Sequence, residues 1–307
     1  MHASRRPFFL AAGAVAILAA GGGAWAWHGQ GHDLAARSAV RAARSELPAF
    51  FVAGAGTVAH CALDPDLFTR PIGPEPLNST EGPEHFFDVE MLRGAKPPAS
   101  RYEYLALCCK MGLKPNRVGL LPYAVTEWTQ RLTVAFAEHR ARPADEHIRA
   151  KCLVYAGILS HYAADLTQPL HVTIHWDGRA RADGSSPRSG IHAKIDALPD
   201  RLSGDREALV GDLEPAALSD LLAGVLAEIG RSHALVERVY QLADAIPAGS
   251  GPLPADSAVA QFTADRMRAA GRFTASLYLT AWKDSAAIKL PAWYKRPDDD
   301  GWKKARE

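Results

Sequence analysis

The sequence has little cysteine, no excess of either charge and no serine-hydrolase signature. Four of its 307 residues are Cys, and 35 Lys and Arg balance 34 Asp and Glu. Without a C-x-x-C pair, a cysteine-based zinc site is not supported. The balanced charge gives no reason to expect a protein that coats nucleic acid or a membrane surface. The absence of G-x-S-x-G makes Ser/His/Asp catalysis the weaker interpretation.

The four cysteines are Cys61, Cys108, Cys109 and Cys152. Cys108 and Cys109 are adjacent and unsuited to bridging each other. If two disulfides form, each of these two residues pairs with Cys61 or Cys152. Buried free thiols fit the sequence equally well.

Residues 1–26 have the pattern of an export signal. Arg5 and Arg6 precede an apolar run, 8–20, that is short and rich in small residues for a membrane span. Ala24-Trp25-Ala26 is an A-x-A cleavage site, which predicts a mature chain that begins at Trp27. Residues 4–10 also resemble a twin-arginine signal, so the Sec and twin-arginine routes both stay open. We expect a periplasmic or secreted protein with no transmembrane span after cleavage; the alternative is an uncleaved anchor.

Helical periodicity dominates the remaining sequence, and no run of alternating strands is visible. Loops rich in Gly, Pro or Ser are expected at 71–83, 179–190 and 247–254. The pattern predicts one all-α domain over 27–290, followed by a tail at 291–307. The expected helices are 33–51, 120–138, 144–165, 215–245 and 256–282.

The most informative stretch is H-Y-A-A-D-L-T-Q-P-L-H, from His161 to His171. His161 and Asp165 are four residues apart, so a helix places the imidazole and the carboxylate on one face. Pro169 then turns the chain and allows His171 to reach a neighbouring ion. Imidazole nitrogen and carboxylate oxygen are ligands that suit zinc.

Four further elements add candidate ligands. His192 and Asp196 repeat the H-x-x-x-D spacing after a loop. One such pair is usually a surface hydrogen bond, but two pairs with a histidine between them favour a metal site. The others are the His85-Phe86-Phe87-Asp88 segment, the acidic turn Asp64-Pro65-Asp66, and the predicted mature start with Trp27 and His32.

Together these motifs resemble the superfamily of zinc-dependent phospholipase C and nuclease P-one. The motifs lie between Trp27 and Asp196, and the later helices agree in character only. The resemblance implies an all-helical bundle with three zinc ions at one end. It implies a first zinc held by His85, His161, Asp165 and either Asp66, which we favour, or Asp64. The second zinc is held by His171, His192 and Asp196, and the third by the amino and carbonyl groups of Trp27 with His32 and Asp165.

The resemblance also implies the reaction. Zinc lowers the pKa of a bound water to about 7 and stabilises charge on a phosphate. Asp66, or Asp64, is expected to orient that water and accept its proton, and Arg70 to neutralise charge on the phosphate.

The substrate class has two candidates. Phe86 and Asp88 match the base-stacking and base-edge positions of the nucleases, and the short spacing from Trp27 to His32 and the final Asp196 agree. These features favour a phosphodiesterase or 3'-nucleotidase acting on single-stranded nucleic acid or nucleotides. The alternative is phospholipase C activity, because the stretch from His192 to Asp196 is close to the phospholipase H-S-K-Y-E and the chain is not basic. A zinc-binding scaffold without activity is a third reading, and no stable protein partner is implied.

Overall fold

The structure is a computed structural model that describes residues 27–69, 75–205, 208 and 211–294. These residues form α- and 3-10 helices and no β-strand; two isolated bridges, Phe87 with Gly119 and Trp176 with Gly178, are the sole β-type pairings among them. The all-α prediction is therefore confirmed for this part of the chain. The expected leader at 1–26, Arg70 and residues 295–307 of the expected tail lie outside the described residues.

The α-helices of the described chain vary from single turns to more than seven turns. Two of the longest, α8 and α9, are neighbours in sequence and in space. In chain order the helices are α1 Gly29–Ala42, α2 Ala49–Ala53, α3 Ala55–Cys61, α4 Asp64–Thr69, α5 Leu77–Glu81, α6 Arg101–Lys110, α7 Pro115–Val118, α8 Leu121–Ala141, α9 Glu146–Thr167, α10 Ile191–Asp196, α11 Leu221–His233, α12 Val236–Leu242 and α13 Ala258–Asp284. Short 3-10 helices include Gly82–His85, Val89–Leu92, Pro169–Val172 and Pro199–Arg201.

Two predicted helices are divided in the structure. The segment expected to be helical over 33–51 forms α1 and α2, because Pro48 disfavours a helical residue before it and becomes the N-cap of α2. The segment 215–245 forms α11 and α12. Val225 and Ile229 of α11 enter one hydrophobic core, whereas Val239 and Leu242 of α12 enter another, so the chain changes direction between them.

The expected loop at 71–83 was also wrong in part. It contains α5 and the start of the 3-10 helix Gly82–His85. The expected loops at 179–190 and 247–254 contain no helix. Two of the long helices begin with side-chain caps: Asp145 accepts hydrogen bonds from two amides of α9, and Ser257 caps α13.

The larger hydrophobic core lies among α3, α8, α9 and α13. Phe51 is fully buried there, with its ring centroid 5.4 Å from that of Phe136 and 5.3 Å from that of Tyr278. Such aromatic pairs add stability beyond the area that they bury. This core fixes the direction of α9, which carries the most informative sequence motif.

A second core lies among α1, α10, α12 and α13. Trp27 is fully buried in it, and its indole N–H donates to the carbonyl oxygen of Ala164 at 3.1 Å. The C-terminal half of α9 lies between the two cores and is buried from Ala156 to Thr167. The polar candidates of the sequence are therefore held inside the protein. None of the helices in the described ranges combines the length and apolar character needed to cross a membrane.

Candidate metal centre

Three overlapping groups of His and Asp side chains meet where α9 ends. All their members are buried, and within each group the candidate ligand atoms lie within 4.8 Å of one another. The groups combine residues that are up to 129 positions apart in the sequence, His32 and His161, so tertiary packing creates them. The groups are His32, Asp66 and His161; His85, His161 and Asp165; and His171, His192 and Asp196.

Asp165 belongs to the second group and also faces His32 of the first. Its Oδ2 lies 3.3 Å from His161 Nε2 and 3.1 Å from His85 Nδ1, and its Oδ1 lies 3.5 Å from His32 Nε2. The four-residue spacing on α9 does place His161 and Asp165 on one face. One carboxylate thus faces three imidazoles from three different elements.

His85 reaches this centre from the end of a 3-10 helix. The following residues are fixed by backbone hydrogen bonds from Phe87 N to His171 O at 2.8 Å and from Asp88 N to Val118 O at 2.7 Å. Gly119 lies against the same segment with φ +98°, and a Cβ there would stand 2.0 Å from Phe86 O. Glycine at 119 is therefore needed for the segment to approach this closely.

The two acids of the 64–66 turn have different surroundings. Asp66 is buried, and its Oδ1 lies 4.0 Å from His161 Nε2. Asp64 is only partly buried and belongs to none of the three groups. The geometry therefore agrees with the choice of Asp66 over Asp64.

His32 lies on α1 and is stacked on His161, with ring centroids 3.9 Å apart. The residue is 1% exposed, and neither of its ring nitrogens makes a hydrogen bond. The indole of Trp27 is anchored to Ala164, one residue before Asp165. The Trp27 side chain is thus anchored to the C-terminal part of α9, one residue before Asp165 in the sequence.

The second centre is formed by His171, His192 and Asp196. His192 Nε2 lies 3.1 Å from Asp196 Oδ2 and 3.2 Å from His171 Nε2. His171 Nδ1 contacts the carbonyl oxygen of His85 at 2.7 Å, and His192 Nδ1 contacts that of Trp176 at 3.1 Å. Because a carbonyl oxygen can only accept, both Nδ1 atoms must carry the proton.

These contacts test whether the site suits a metal. With Nδ1 protonated, a neutral ring has a lone pair on Nε2, so two lone pairs face each other across 3.2 Å in the second centre. Such an arrangement is repulsive unless a cation or a proton lies between them. Buried atoms without a hydrogen bond cluster here as well: both nitrogens of His32, His85 Nε2, Asp165 Oδ1 and Asp196 Oδ2. The donor set and its unsatisfied atoms fit zinc.

The pKa shifts of the buried histidines and of Asp165 are compatible with a metal site. Burial lowers the pKa of His32 well below its usual value and lowers that of His171, which favours neutral, ligand-competent rings. Burial also opposes charge on His161, but the Asp165 carboxylate outweighs it and raises the pKa of His161 to about 9. The pKa of Asp165 is held well below its usual range by His161, against the effect of burial. Positive charge is therefore favoured between His161 and Asp165.

Several supporting residues have no signal in the sequence analysis. Gln168 is fully buried; its Nε2 donates to Asp196 Oδ1 at 2.7 Å, and its Oε1 accepts from Leu170 N. Glu81 Oε1 accepts from the hydroxyl of Tyr162 and lies 4.0 Å from His85 Nε2. Carboxylates and amides beyond the ligands commonly orient them in this way. Only the glutamine lies within a motif that the sequence brought forward.

The two predicted substrate-binding residues flank the first centre. Phe86 is partly exposed, whereas Phe87 is 2% exposed and packs near Tyr104 in the core. Asp88 is buried, and burial raises its pKa to about 8, with a smaller contribution from Glu90. A partly exposed aromatic side chain and a buried carboxyl with a raised pKa thus follow His85 in the sequence.

The remaining candidates do not join the centre. His175 Nδ1 accepts a hydrogen bond from Ala180 N at 2.9 Å and belongs to none of the three groups. All four cysteines are free thiols, three of them buried, so neither of the two possible disulfide pairings is formed.

Comparison with known proteins gave a structural match but no sequence match. No protein-family model matches the chain, and no curated protein matches its sequence. Among solved structures, the alpha toxin from Clostridium absonum aligns with a TM-score of 0.46 and 13% sequence identity, covering 87% of this chain and 68% of the toxin chain.

Proposed function

We propose that this protein is a zinc-dependent hydrolase of phosphoric esters. The observation that supports it most is the pair of facing Nε2 lone pairs of His171 and His192, 3.2 Å apart. A cation placed between the two nitrogens would accept both lone pairs. The proposal includes export through the 1–26 leader, cleavage after Ala26, and one catalytic domain over 27–290.

The residues divide naturally into three metal sites. His85, His161, Asp165 and Asp66 would hold the first ion, and His171, His192 and Asp196 the second. The third would be held by His32 and Asp165, with the amino and carbonyl groups that Trp27 provides after cleavage. This division regroups the clustered His and Asp side chains. It gives a ligand role to His32, His85, Asp165 and Asp196, whose side chains carry buried atoms without a hydrogen bond.

Zinc bound there would supply a water with a pKa near 7 and positive charge for the phosphate oxygens. The chain's own contribution is to hold and move the proton. Asp66 is 8% exposed, so its carboxylate meets both the buried centre and solvent. From that place it can orient a water and accept its proton, the role of a general base.

Phe86 and Asp88 support a nucleotide or a single strand of nucleic acid as the substrate. Stacking of a base on an aromatic ring contributes about 1–3 kcal/mol and tolerates any base. The Asp88 carboxyl, with its pKa raised to about 8, can donate as well as accept a hydrogen bond at neutral pH. That property suits the edge of a base, which presents donors and acceptors together. We therefore favour a nuclease-like phosphodiesterase or 3'-nucleotidase.

One observation favours the phospholipase C alternative. Leu67 directly follows Asp66 on α4, Leu77 begins α5, and both side chains are exposed. Helices α4 and α5 pack against each other, so two large apolar groups are presented near the first site. Exposed apolar side chains at the edge of a site suit a lipid substrate.

The experiment uses the chain that begins at Trp27, purified with zinc present. Zinc is counted by mass spectrometry, and turnover is measured on a chromogenic phosphodiester, single-stranded DNA and a phosphocholine ester. We expect bound zinc, and loss of turnover with a chelator that zinc restores. Hydrolysis of DNA but not the choline ester supports the nuclease, and the reverse supports the phospholipase. Bound zinc without hydrolysis would mean a scaffold, and a zinc content near zero would refute the metal proposal.

The role of Asp66 has a matched control in the same turn. Asp66→Asn keeps the size of the side chain but removes the base, so we expect kcat to fall by about 100-fold or more. Asp64→Asn makes the same chemical change at a partly buried acid outside the three groups, and we expect turnover within about twofold of wild type. Equal losses in the two variants would contradict the assignment.

A further inference from the structure

The segment from His175 to Gly178 connects the second centre to helix α12. Tyr240 lies on α12, and its hydroxyl donates to the carbonyl oxygen of His175 at 2.5 Å. The same hydroxyl accepts from Gly178 N at 3.1 Å. One side chain therefore holds both ends of a four-residue turn.

The two residues inside that turn hold His192. The carbonyl oxygen of Trp176 accepts from His192 Nδ1 at 3.1 Å, and Asp177 Oδ1 accepts from His192 N at 3.3 Å. The first contact fixes the plane of the imidazole and the second fixes its backbone. The turn thus determines where His192 Nε2 points.

The geometry of the turn has little freedom of its own. Gly178 has φ +99°, and a Cβ at this position would stand 2.3 Å from Pro187 Cγ. The carbonyl oxygen of Asp177 also accepts from Ser189 N at 3.0 Å and from the Ser186 hydroxyl at 2.9 Å. These contacts hold residues 178–189 together as a closed loop. Through the 175–178 turn, the Tyr240 hydroxyl attaches this loop to helix α12.

His192 needs such support because its helix is short. Helix α10 has six residues, and its N-cap, Gly190, has no capping side chain. A helix of that length is marginal without tertiary contacts. A small rotation of the His192 ring would separate its Nε2 from Asp196 and His171.

A second contact between the loop and α12 is at the surface. Arg179 pairs with Glu237 and lies over the ring of Tyr240, 4.1 Å from its centroid. Exposed ion pairs contribute little to stability. The hydroxyl of Tyr240, and not this ion pair, is therefore the specific connection to His192.

We propose that Tyr240 is a positioning residue for the second metal site, acting on His192 through the 175–178 turn. The role of the metal rests on the proposed function, whereas the effect on the His192 ring does not. In the metal-free protein, the hydroxyl should keep the His192 Nδ1 proton hydrogen-bonded to Trp176 O. In the loaded protein, it should raise the affinity of the second site for zinc.

The experiment compares Tyr240→Phe with Tyr123→Phe in the chain that begins at Trp27. The Tyr123 hydroxyl likewise donates to a loop carbonyl, that of Pro98 at 2.8 Å, but this loop adds no side chain to the three groups. NMR of the metal-free protein follows solvent exchange of the His192 Nδ1 proton. Titration with zinc and the cadmium-113 spectrum report each metal site.

For Tyr240→Phe we expect exchange of that proton to become at least about tenfold faster. One cadmium resonance should shift while the others keep their positions, and one site should bind zinc about tenfold more weakly, the lower end of the effect of partners beyond the ligands. Tyr123→Phe should match wild type in all three measurements. Replacement of Glu237 by Gln should also match wild type, since it breaks only the surface ion pair.

Two results would overturn the inference. One is a Tyr240→Phe protein with wild-type proton exchange and wild-type metal spectra. The other is an equal change of all resonances in Tyr240→Phe and Tyr123→Phe, which would indicate a general loss of stability. Faster proton exchange in Tyr240→Phe, in a protein whose wild type binds no metal, would refute the proposed function and leave the positioning of His192 supported.

Discussion

The two halves of the candidate metal centre contain the same motif on very different supports. His161 and Asp165 are four residues apart on α9, a buried helix of 22 residues, whereas His192 and Asp196 have the same spacing on α10, a helix of six. The long helix fixes its pair through its own backbone hydrogen bonds. The short helix takes its geometry from residues outside it: Gln168, Trp176 and, through the turn, Tyr240. The same four-residue spacing is thus held in place by the helix itself on α9 and by surrounding residues on α10.

The largest effect is expected for Asp165, in the half of the centre that lies on α9. Asp165→Asn removes the charge that faces His32, His85 and His161 at once. We expect the first and third sites to lose zinc, with an effect larger than the about 10–100-fold typical of partners beyond the ligands. The second site should keep its ion. Zinc per chain, measured by mass spectrometry on protein with a wild-type circular dichroism spectrum, tests this; a full complement of zinc together with full turnover would exclude the bridging role.

A smaller effect is expected in the half of the centre that lies on α10. Gln168→Met keeps the length of the side chain and removes the donor to Asp196, so zinc at the second site should bind about 10–100-fold more weakly. Thr167→Val is the control, because Thr167 is equally buried and donates only to Ala164 O within α9. Competition with a chromogenic chelator measures each affinity. The comparison of the two halves would fail if the first site weakened as much as the second.

The last prediction concerns stability and a buried carboxyl that belongs to neither half. The folded protein keeps a proton on Asp88 up to about pH 8, whereas the unfolded chain releases it near pH 4. Stability should therefore fall as pH rises between these values and level off above about 8. Asp88→Asn has no carboxyl to titrate, so its free energy of unfolding should not show this pH dependence. Relative to wild type, the free energy of unfolding of the variant should rise from pH 5 to pH 8, by at most about 1.4 kcal/mol per pH unit.

Urea unfolding at the two pH values tests this prediction. The change of the free energy of unfolding with pH should be the same with and without zinc. Substitutions at Asp165 or Asp196, by contrast, should have effects that depend on zinc. If stability depended on pH in this way only after zinc removal, Asp88 would belong to the metal centre. The contrast between the carboxyls of the centre and Asp88 would then fail.

Sequence patterns predicted the helical class and the residues that meet at the end of α9, because ligand type and four-residue spacing are local properties. They did not predict the partners that orient those residues. Gln168 meets Asp196 across 28 positions, and Trp176 acts through its backbone carbonyl, which any residue type provides. The division of the predicted 215–245 helix also escaped prediction, since it depends on which core each half enters.

The direction of α9 has an electrostatic consequence of its own. A helix carries about half a negative charge at its C-terminus, where its last carbonyl groups are unpaired within the helix. Asp165 lies in that last turn, which contains no basic residue to neutralise it. The backbone field therefore favours a cation at this point independently of the side chains. With the helix reversed, the same ligands would stand in a field that repels the ion they are placed to bind.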